Sequence, residues 1–401
     1  MNRIFSSFAI GVTMQPQKKF LSLAWLALIT LLVSPAVATE EAATTDVTAA
    51  PHGTSSISAE ILAPRLSALE RDLFDQIHDG RFGKFSLLQA GLIAGGVDSR
   101  NELQTYCKRF DQLVQSLRQS GDVRGTPRER AQAVLVFLHQ TVLQGGYNLQ
   151  ASDLRQALDH GRFNCVTASL LFNCLAQRFG LKAVGLEIPG HAMSRLELPQ
   201  ETLDIETTCP RWFTRIEKRN GESVPPSGGP VPTEHEAAVR AELADRAPIR
   251  DAARGPQPLR QISEVELVAT IYYNLGVDRL AEKRFADAAA ANAKAVRLDP
   301  ENATAKGNFL ATINNWAIDL CRSGEYEKAA ELLRLGLATD SRYEAFRSNY
   351  VQLFRQWSDH LCRSGRYDEA ARLLARAAQE QPDEKFFHEA AIELLRRWGT
   401  K

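Results

Sequence analysis

An internal repeat in the last third of the chain constrains the fold more than any other feature. The segment Leu320–Leu333 (LCRSGEYEKAAELL) recurs as Leu361–Leu374 (LCRSGRYDEAARLL), at an offset of 41 in residue number (361 − 320). Trp316 and Trp357 keep the same offset. Periods of roughly 20–50 residues are typical of solenoids, in which each unit buries its apolar face only by stacking on a neighbour. The spacing therefore predicts stacked helical hairpins in this part of the chain.

A third copy of the repeat lies upstream, where Phe285 precedes Tyr326 by the same offset (326 − 285). Its small and apolar positions resemble the tetratricopeptide repeat, and the matching residues are Leu275, Gly276, Ala288, Ala295 and Pro300. Because that repeat has about 34 residues, the longer offset predicts longer helices or an added linker. The resemblance implies an all-α repeat domain at residues 269–401 that binds a partner protein in a concave groove.

The N-terminal residues predict an export signal. Lys18 and Lys19 precede a short apolar run, Phe20–Val33, and the small-residue segment Ala36–Ala38 follows. The run is shorter than the ~20 residues that a helix needs to span a membrane. A basic start, a short apolar run and a small-residue end are typical of a cleaved signal peptide. We therefore predict a signal peptide over residues 1–38.

The alternative is that the apolar segment is not cleaved and that residues 20–37 anchor the protein in a membrane. In either case the rest of the chain is expected to be exported, to the periplasm or the extracellular space. Residues 39–60 are rich in Ala, Thr, Ser and Glu and have no apolar period. Such a composition buries too little apolar surface to fold, so it predicts a disordered tether.

Charge and cysteine content exclude several classes of function. The chain has 48 basic and 48 acidic residues, a formal net charge of zero. Binding to nucleic acid depends on clustered positive charge, so no nucleic-acid partner is predicted. The six cysteines lack a C-x-x-C spacing, which argues against a metal site and a thioredoxin-like site. Cys321 and Cys362 occupy equivalent repeat positions and are interpreted as packing residues.

Cys165 has the setting of a nucleophilic thiol. It follows the loop Gly161–Asn164 and begins a predicted helix that ends at Gly180. The unpaired N–H groups and the dipole at a helix N-terminus stabilise a thiolate. A catalytic thiol also needs a base and a residue that orients the base.

A predicted β-hairpin supplies both of these groups. The turn signal Pro189-Gly190 precedes His191, and strands are predicted over 181–188, 191–196 and 203–207. With the following loop near residues 197–198, Asp204 lies opposite His191. Directly paired residues point to the same face of a sheet, so the carboxylate of Asp204 would hold the imidazole in the required tautomer.

Two alternatives to these residues remain open. Glu206 shares its strand face with Asp204 and is the alternative orienter. His160 is close to Cys165 along the chain and is the alternative base, although nothing in the sequence supplies its orienter. Cys174, nine residues after Cys165 (174 − 165), is interpreted as a core residue.

These motifs resemble the transglutaminase-like superfamily, relatives of the papain-like cysteine proteases. The matching segments are Gly161–Ser169, Pro189–Ala192 and Asp204–Thr208. The resemblance implies that Cys165 is the nucleophile, His191 the general base and acid, and Asp204 the orienter, with no cofactor or metal. It covers residues 125–215, within a predicted domain at 61–268 that includes an N-terminal helical part.

The family also stabilises an oxyanion with a residue upstream of the nucleophile. Papain-like members place a glutamine there, whereas this chain has Asp159 at about that distance and Gln156 further upstream. The resemblance therefore implies a different donor set. We expect the backbone N–H of Cys165 and the side chain of Asn164 to bind the oxyanion.

The predicted fold class is an α+β papain/transglutaminase-like domain followed by an all-α tetratricopeptide-type repeat domain, each packing as a separate unit. The resemblance implies an exported, cysteine-dependent acyl transferase or hydrolase of amides or peptides, with a protein or peptide as substrate. The alternative is a non-catalytic repeat scaffold in which the cysteine domain is a structural or binding platform. The complete triad favours the enzyme, and the missing glutamine favours the platform.

Overall fold

The computed structural model of the protein describes residues 56–188, 190–198, 201–214 and 259–398. The predicted signal peptide lies outside these residues, as does the predicted tether up to residue 55. The last residues of that tether belong to helix α1 (Ile57–Leu62) instead of being disordered. No helix in the described part of the chain is long and apolar enough to cross a membrane.

The helices before the sheet begin at polar residues that close their N-termini. Thr126 accepts a hydrogen bond from the Glu129 N–H and Glu129 accepts one from the Thr126 N–H, a capping box at the start of α5. These bonds satisfy N–H groups that have no partner within the helix. After α1 come α2 (Ala68–Asp75), α3 (Leu87–Ala94), α4 (Arg100–Ser120), α5 (Pro127–Thr141), α6 (Leu154–His160) and α7 (Cys165–Arg178).

Helix α7 lies at the centre of this part of the molecule. Every residue of its segment Cys165–Ala176 is buried, because α3, α5 and two strands, β1 (Lys182–Ile188) and β2 (His191–Glu197), pack around it. Thr167 and Ser169 of this helix are hydrogen-bonded within the protein. The hydroxyls of Ser169 and Thr207, for example, are 2.8 Å apart. The helix that begins at the predicted nucleophile is thus a fixed core element.

The sheet has four antiparallel strands in the order β3-β2-β1-β4, with β3 at Thr202–Ile205 and β4 at Arg260–Ile262. The first hairpin turns at Gly190, whose φ of 80° is left-handed and is adopted at low cost by glycine. Strand β4 ends at Ile262, because Ser263 caps the helix that follows.

The C-terminal region is entirely helical, which confirms the predicted helical character. Equivalent helices begin at 303, 344 and 385, so they keep the offset of 41 found in the sequence (344 − 303; 385 − 344). The boundary predicted between residues 268 and 269 lies inside the first helix. The helices are α8 (Glu264–Ala281), α9 (Phe285–Leu298), α10 (Ala303–Arg322), α11 (Tyr326–Thr339), α12 (Glu344–Arg363), α13 (Tyr367–Glu380) and α14 (Lys385–Trp398).

The repeated tryptophans occupy equivalent but only half-buried positions. Trp316 and Trp357 both keep part of their surface exposed. The ring of Trp357 stacks on Tyr326 of the preceding unit, with centroids 5.8 Å apart and planes 15° apart. The tryptophan ring therefore covers the solvent-facing side of the contact between the two units.

The cysteine domain and the helical region are joined in one compact unit, so the expectation of separate packing units is wrong. Arg260 on β4 binds both Glu187 on β1 and Asp299 at the end of α9. Asp299 is only 1% exposed, so its charge depends on this partner. A second ion pair also joins the two regions, since Lys294 on α9 lies 2.7 Å from Glu70 on α2.

Candidate active site

The nucleophile is placed by the cap of helix α7. The Asn164 side chain accepts a hydrogen bond from the Thr167 N–H (3.0 Å), and the Thr167 hydroxyl accepts one from the Asn164 N–H (2.9 Å). This capping box starts the helix at Cys165. The thiol therefore lies at the helix N-terminus, where the dipole favours negative charge. Only 6% of Cys165 is exposed.

Two groups of strand β2, the His191 side chain and the Ala192 N–H, interact with the Cys165 thiol. The side chain of Cys165 is hydrogen-bonded to His191, and its sulfur accepts a hydrogen bond from the Ala192 N–H. Burial alone raises the pKa of a thiol, but here the bond to His191, the charge of that ring and the Ala192 N–H outweigh burial. The pKa of Cys165 is therefore lowered, which favours a thiolate.

His191 is held between the thiol and a carboxylate. Its Nε2 lies 2.6 Å from Oε2 of Glu206, so Nδ1 is the ring nitrogen that is left for Cys165. Burial opposes the charged ring, but the bonds to Cys165 and Glu206 raise the pKa of His191 to about 10. The geometry and the charges together describe a thiolate–imidazolium pair.

Glu206 is itself positioned by its neighbours. Its Oε1 accepts hydrogen bonds from the Thr208 hydroxyl (2.7 Å) and the Thr208 N–H (3.2 Å). Burial raises the pKa of a carboxyl, but the bonds to His191 and Thr208 outweigh it and lower the pKa of Glu206. The carboxylate thus stays charged beside the imidazolium and fixes the ring orientation.

Asp204, the orienter expected from the sequence, does not reach His191. It is paired across the sheet with Arg195, and its two carboxylate oxygens accept bonds of 2.6 and 2.8 Å from that guanidinium. Strand β2 ends at Glu197 and β3 begins at Thr202, so the midpoint between the strands is two residues later than the predicted loop at 197–198. In an antiparallel pair the two residue numbers sum to twice the loop centre. A centre two residues later therefore pairs each residue of β2 with a residue four positions later than predicted. The alternative orienter, Glu206, therefore takes the place beside the ring.

Asn164 is not placed to bind an oxyanion. Its Oδ1 caps the helix, and its Nδ2 donates hydrogen bonds to the Leu149 carbonyl (3.1 Å) and the Ser152 hydroxyl (2.8 Å). Both amide protons are therefore engaged. The residue is also 1% exposed. Its role is to hold the loop and the start of α7 together, and the oxyanion assignment is wrong.

Tyr147 is a site residue that sequence reasoning missed. Its hydroxyl lies beside Cys165, where burial and the charge of Cys165 raise the pKa of Tyr147, so the phenol stays protonated. The ring is set by an edge-on contact with Phe163, 5.8 Å between centroids. The Asn148 N–H donates to the Phe163 carbonyl (2.7 Å), which ties the two segments together.

A glycine makes that close pairing possible. A Cβ at Gly145 would lie 2.1 Å from the His160 carbonyl oxygen, so no larger residue fits there. In the sequence, Gly145-Gly146 marks a helix end. Tyr147 directly follows these glycines, and this position is the sequence signal from which its place in the site could have been inferred. What the sequence does not display is that this turn pairs with the loop just before Cys165.

The other candidates lie away from the thiol. His160 is exposed at the end of α6, whereas the buried Cys165 is bonded to His191. Asp159 binds Tyr106 and Arg109 on α4. Cys174 is buried and reduced, in agreement with a packing role. Among the described residues no group of His, Cys, Asp and Glu side chains could hold a metal ion.

Comparison with known proteins agrees with this geometry. Residues 104–220 match the family model of the transglutaminase-like superfamily. No curated protein and no solved structure matches the chain. The matched segment begins within α4 and includes the thiol, the imidazole and the carboxylate described above. Residues 104–220 of this chain therefore match the transglutaminase-like superfamily, and a helical C-terminal region follows them.

Proposed function

We propose that the protein is a cysteine-dependent enzyme that transfers or hydrolyses acyl groups held in amides or peptides. The single observation that carries this proposal is the continuous contact from the Cys165 thiol through His191 to Glu206. A thiol used only for packing needs neither a base nor a carboxylate that orients the base. Here both are present: the base lowers the pKa of the Cys165 thiol, and the carboxylate holds the base in place.

The reaction uses these side chains in sequence. The Cys165 sulfur attacks the carbonyl carbon, the C=O electron pair moves to oxygen, and the resulting oxyanion accepts hydrogen bonds from the Tyr147 hydroxyl and the Cys165 N–H. Imidazolium His191 gives its proton to the leaving nitrogen as the C–N bond breaks. The products are a thioester on Cys165 and a free amine.

The second half returns the enzyme to its starting state. Water, or an acceptor amine, approaches the thioester, and neutral His191 removes a proton from it. The new C–O or C–N bond forms as the C–S bond breaks, which regenerates the thiolate and the imidazolium. Water yields hydrolysis, and an amine yields transfer.

We further propose that the helical region is a tetratricopeptide-type repeat that binds a partner protein. The regularly recurring helical hairpins and the small residues at their joints support this assignment. A small residue there is required, since a Cβ on Gly276 would lie 2.4 Å from an Asn292 side-chain oxygen. The basic, apolar and small-residue order of residues 1–38 supports export.

Selective alkylation tests the enzymatic proposal. The full chain is treated with limiting iodoacetamide at pH 6.5, and each cysteine is quantified by peptide mass spectrometry. Burial raises the pKa of Cys321 and Cys362, so they serve as internal references. We expect Cys165 to react at least tenfold faster than either, and His191→Ala to remove that advantage. Equal or slower reaction of Cys165 would instead favour a non-catalytic platform.

A further inference from the structure

The segment that carries Glu206 lies beyond the end of the sheet. The pairing of strands β2 and β3 ends with Ser194 and Ile205, one residue before Glu206. The bonds that Thr208 makes to this carboxylate lie within the same short segment. They fix the side chain relative to its own main chain, but not relative to the imidazole of His191. A carboxylate that orients a base also needs its main chain held in place.

Thr207, between Glu206 and Thr208, is the residue that anchors this segment. Its side-chain hydroxyl lies 2.8 Å from the hydroxyl of Ser169 on α7. Its main-chain carbonyl oxygen lies 2.9 Å from Nε2 of His139 on α5. Because Thr207 is 0% exposed, both of its polar groups depend on these partners. Two helices therefore hold the main chain next to the orienting carboxylate.

The tautomer of His139 follows from this contact. A carbonyl oxygen only accepts hydrogen bonds, so Nε2 of His139 carries the proton that it donates to Thr207. Burial lowers the pKa of His139 more than the bond to Thr207 raises it, so the ring is neutral near pH 7. His139 is therefore an uncharged donor whose ring has one defined orientation.

The ring of His139 also packs against the loop that precedes the nucleophile. It meets the ring of Phe163 edge to face, with centroids 5.8 Å apart and planes 82° apart. Phe163 is 5% exposed and lies two residues before Cys165 (165 − 163). Phe163 in turn meets Tyr147, with centroids 5.8 Å apart and planes 87° apart. A row of three rings therefore leads from His139 to the proposed oxyanion donor.

Histidine combines two properties that this position uses. Phenylalanine has a ring to place against Phe163 but no N–H for the Thr207 carbonyl, whereas glutamine has the N–H but no ring. A residue that only packed α5 against the domain would need no donor directed at the main chain beside Glu206. The two contacts of His139 reach the two segments that carry the orienter and the oxyanion donor.

We propose that His139 is a positioning residue that fixes the orienting carboxylate and the oxyanion donor at once. Its bond to Thr207 keeps Glu206 beside the imidazole, which stabilises the thiolate. Its contact with Phe163 keeps Tyr147 beside the sulfur, where the oxyanion forms. This inference rests on the proposed function, because it concerns how the site around the reactive thiol is assembled.

His139→Phe tests the hydrogen bond, since it keeps a ring but removes the donor. Glu206 should then be held less firmly beside the imidazole, and the thiolate should be less stable. We expect the pH midpoint of Cys165 alkylation by iodoacetamide to rise by about 0.5–1 pH unit, toward that of a free thiol. Acylation by p-nitrophenyl acetate uses the same thiolate. The ratio of acylation to alkylation rate should therefore stay within about threefold of wild type.

His139→Gln tests the ring contact, since it keeps an N–H donor for Thr207 but removes the ring. The pH midpoint of Cys165 alkylation should stay within about 0.3 pH unit of wild type. The ratio of acylation to alkylation rate should fall about tenfold, because Tyr147 is no longer held through Phe163 and alkylation forms no oxyanion. Stopped-flow release of nitrophenol measures acylation, and peptide mass spectrometry of the full chain measures alkylation.

Val134→Ala is the matched control for packing. Val134 is fully buried on the same helix, α5. Its truncation weakens the packing of that helix and leaves both contacts of His139 in place. The pH midpoint and the rate ratio should therefore match wild type. Thermal melts verify folding, and His139→Gln, which keeps the buried carbonyl paired, decides the test where His139→Phe does not fold.

The possible outcomes distinguish the positioning role from the enzyme proposal. A fast-reacting Cys165 whose midpoint and ratio do not respond to the His139 substitutions would overturn the positioning role and leave the enzyme proposal intact. Equal changes in Val134→Ala would also overturn it, because they would assign the effect to packing of α5. A wild-type Cys165 that reacts no faster than Cys321 would overturn the enzyme proposal itself.

Discussion

His191 and Glu206 are joined by a 2.6 Å contact between Nε2 and Oε2, across the end of the sheet. The carboxylate orients the ring so that its other nitrogen faces Cys165. It also supplies the negative charge that keeps the ring protonated next to a thiolate. The reactivity of the thiol therefore depends on a residue that lies one position beyond the end of strand β3.

Replacing Glu206 should damage the site far more than replacing Asp204. We expect Glu206→Gln to slow acylation by p-nitrophenyl acetate by about 10²–10⁴-fold, the range for loss of an orienting carboxylate in related triads. Asp204→Asn removes a charge that pairs with Arg195, so its effect should stay within threefold. Stopped-flow release of nitrophenol measures both. A larger loss from Asp204→Asn would reverse the assignment.

The alkylation rate of Cys165 should have a low pH midpoint. The rate follows the thiolate fraction and rises with pH through the pKa of the thiol. Because His191 and Ala192 lower the pKa of Cys165, the midpoint should lie below the ~8.5 of a free thiol. Burial raises the pKa of Cys321 and Cys362, so their midpoints should lie above it. Rates per cysteine between pH 5 and 10 provide the test, and coincident profiles would contradict it.

Tyr147→Phe should separate acylation from alkylation. Removal of one oxyanion donor costs about 10²–10³-fold in acyl transfer, so nitrophenyl acetate turnover should fall by that order. Alkylation by iodoacetamide forms no oxyanion, and its rate at Cys165 should change by less than threefold. The phenylalanine keeps the edge contact with Phe163, so folding should be preserved. Equal losses in both reactions would assign Tyr147 to activation of the thiol.

Arg260→Met should destabilise the cysteine domain and the repeats together. The substitution leaves the buried carboxylate of Asp299 without its partner. We expect a loss of about 2–3 kcal/mol in the free energy of unfolding, below the usual cost of breaking a buried pair because the guanidinium is about a third exposed. Hydrogen exchange should report loss of protection in α7 and α10 at the same denaturant concentration. Protection lost in only one of them would indicate two independent units.

Local patterns were sufficient for the elements of this fold. The constant offset between the repeats predicted helical hairpins, and the helix starts at Ala303 and Glu344 follow it. The helix that begins at Cys165 was also predictable, because a polar cap, an apolar run and a glycine stop are all local signals. Residues 104–220 carry enough of the family pattern for the transglutaminase-like domain to be predicted as well.

The partners within the site were decided by tertiary structure. Alternation along β3 places Asp204 and Glu206 on one face, but only the loop length determines which of them meets His191. Tyr147 reaches Cys165 because two loops pair through Gly145. Register and long-range packing depend on contacts between distant segments, which the periodicity of either segment alone does not contain.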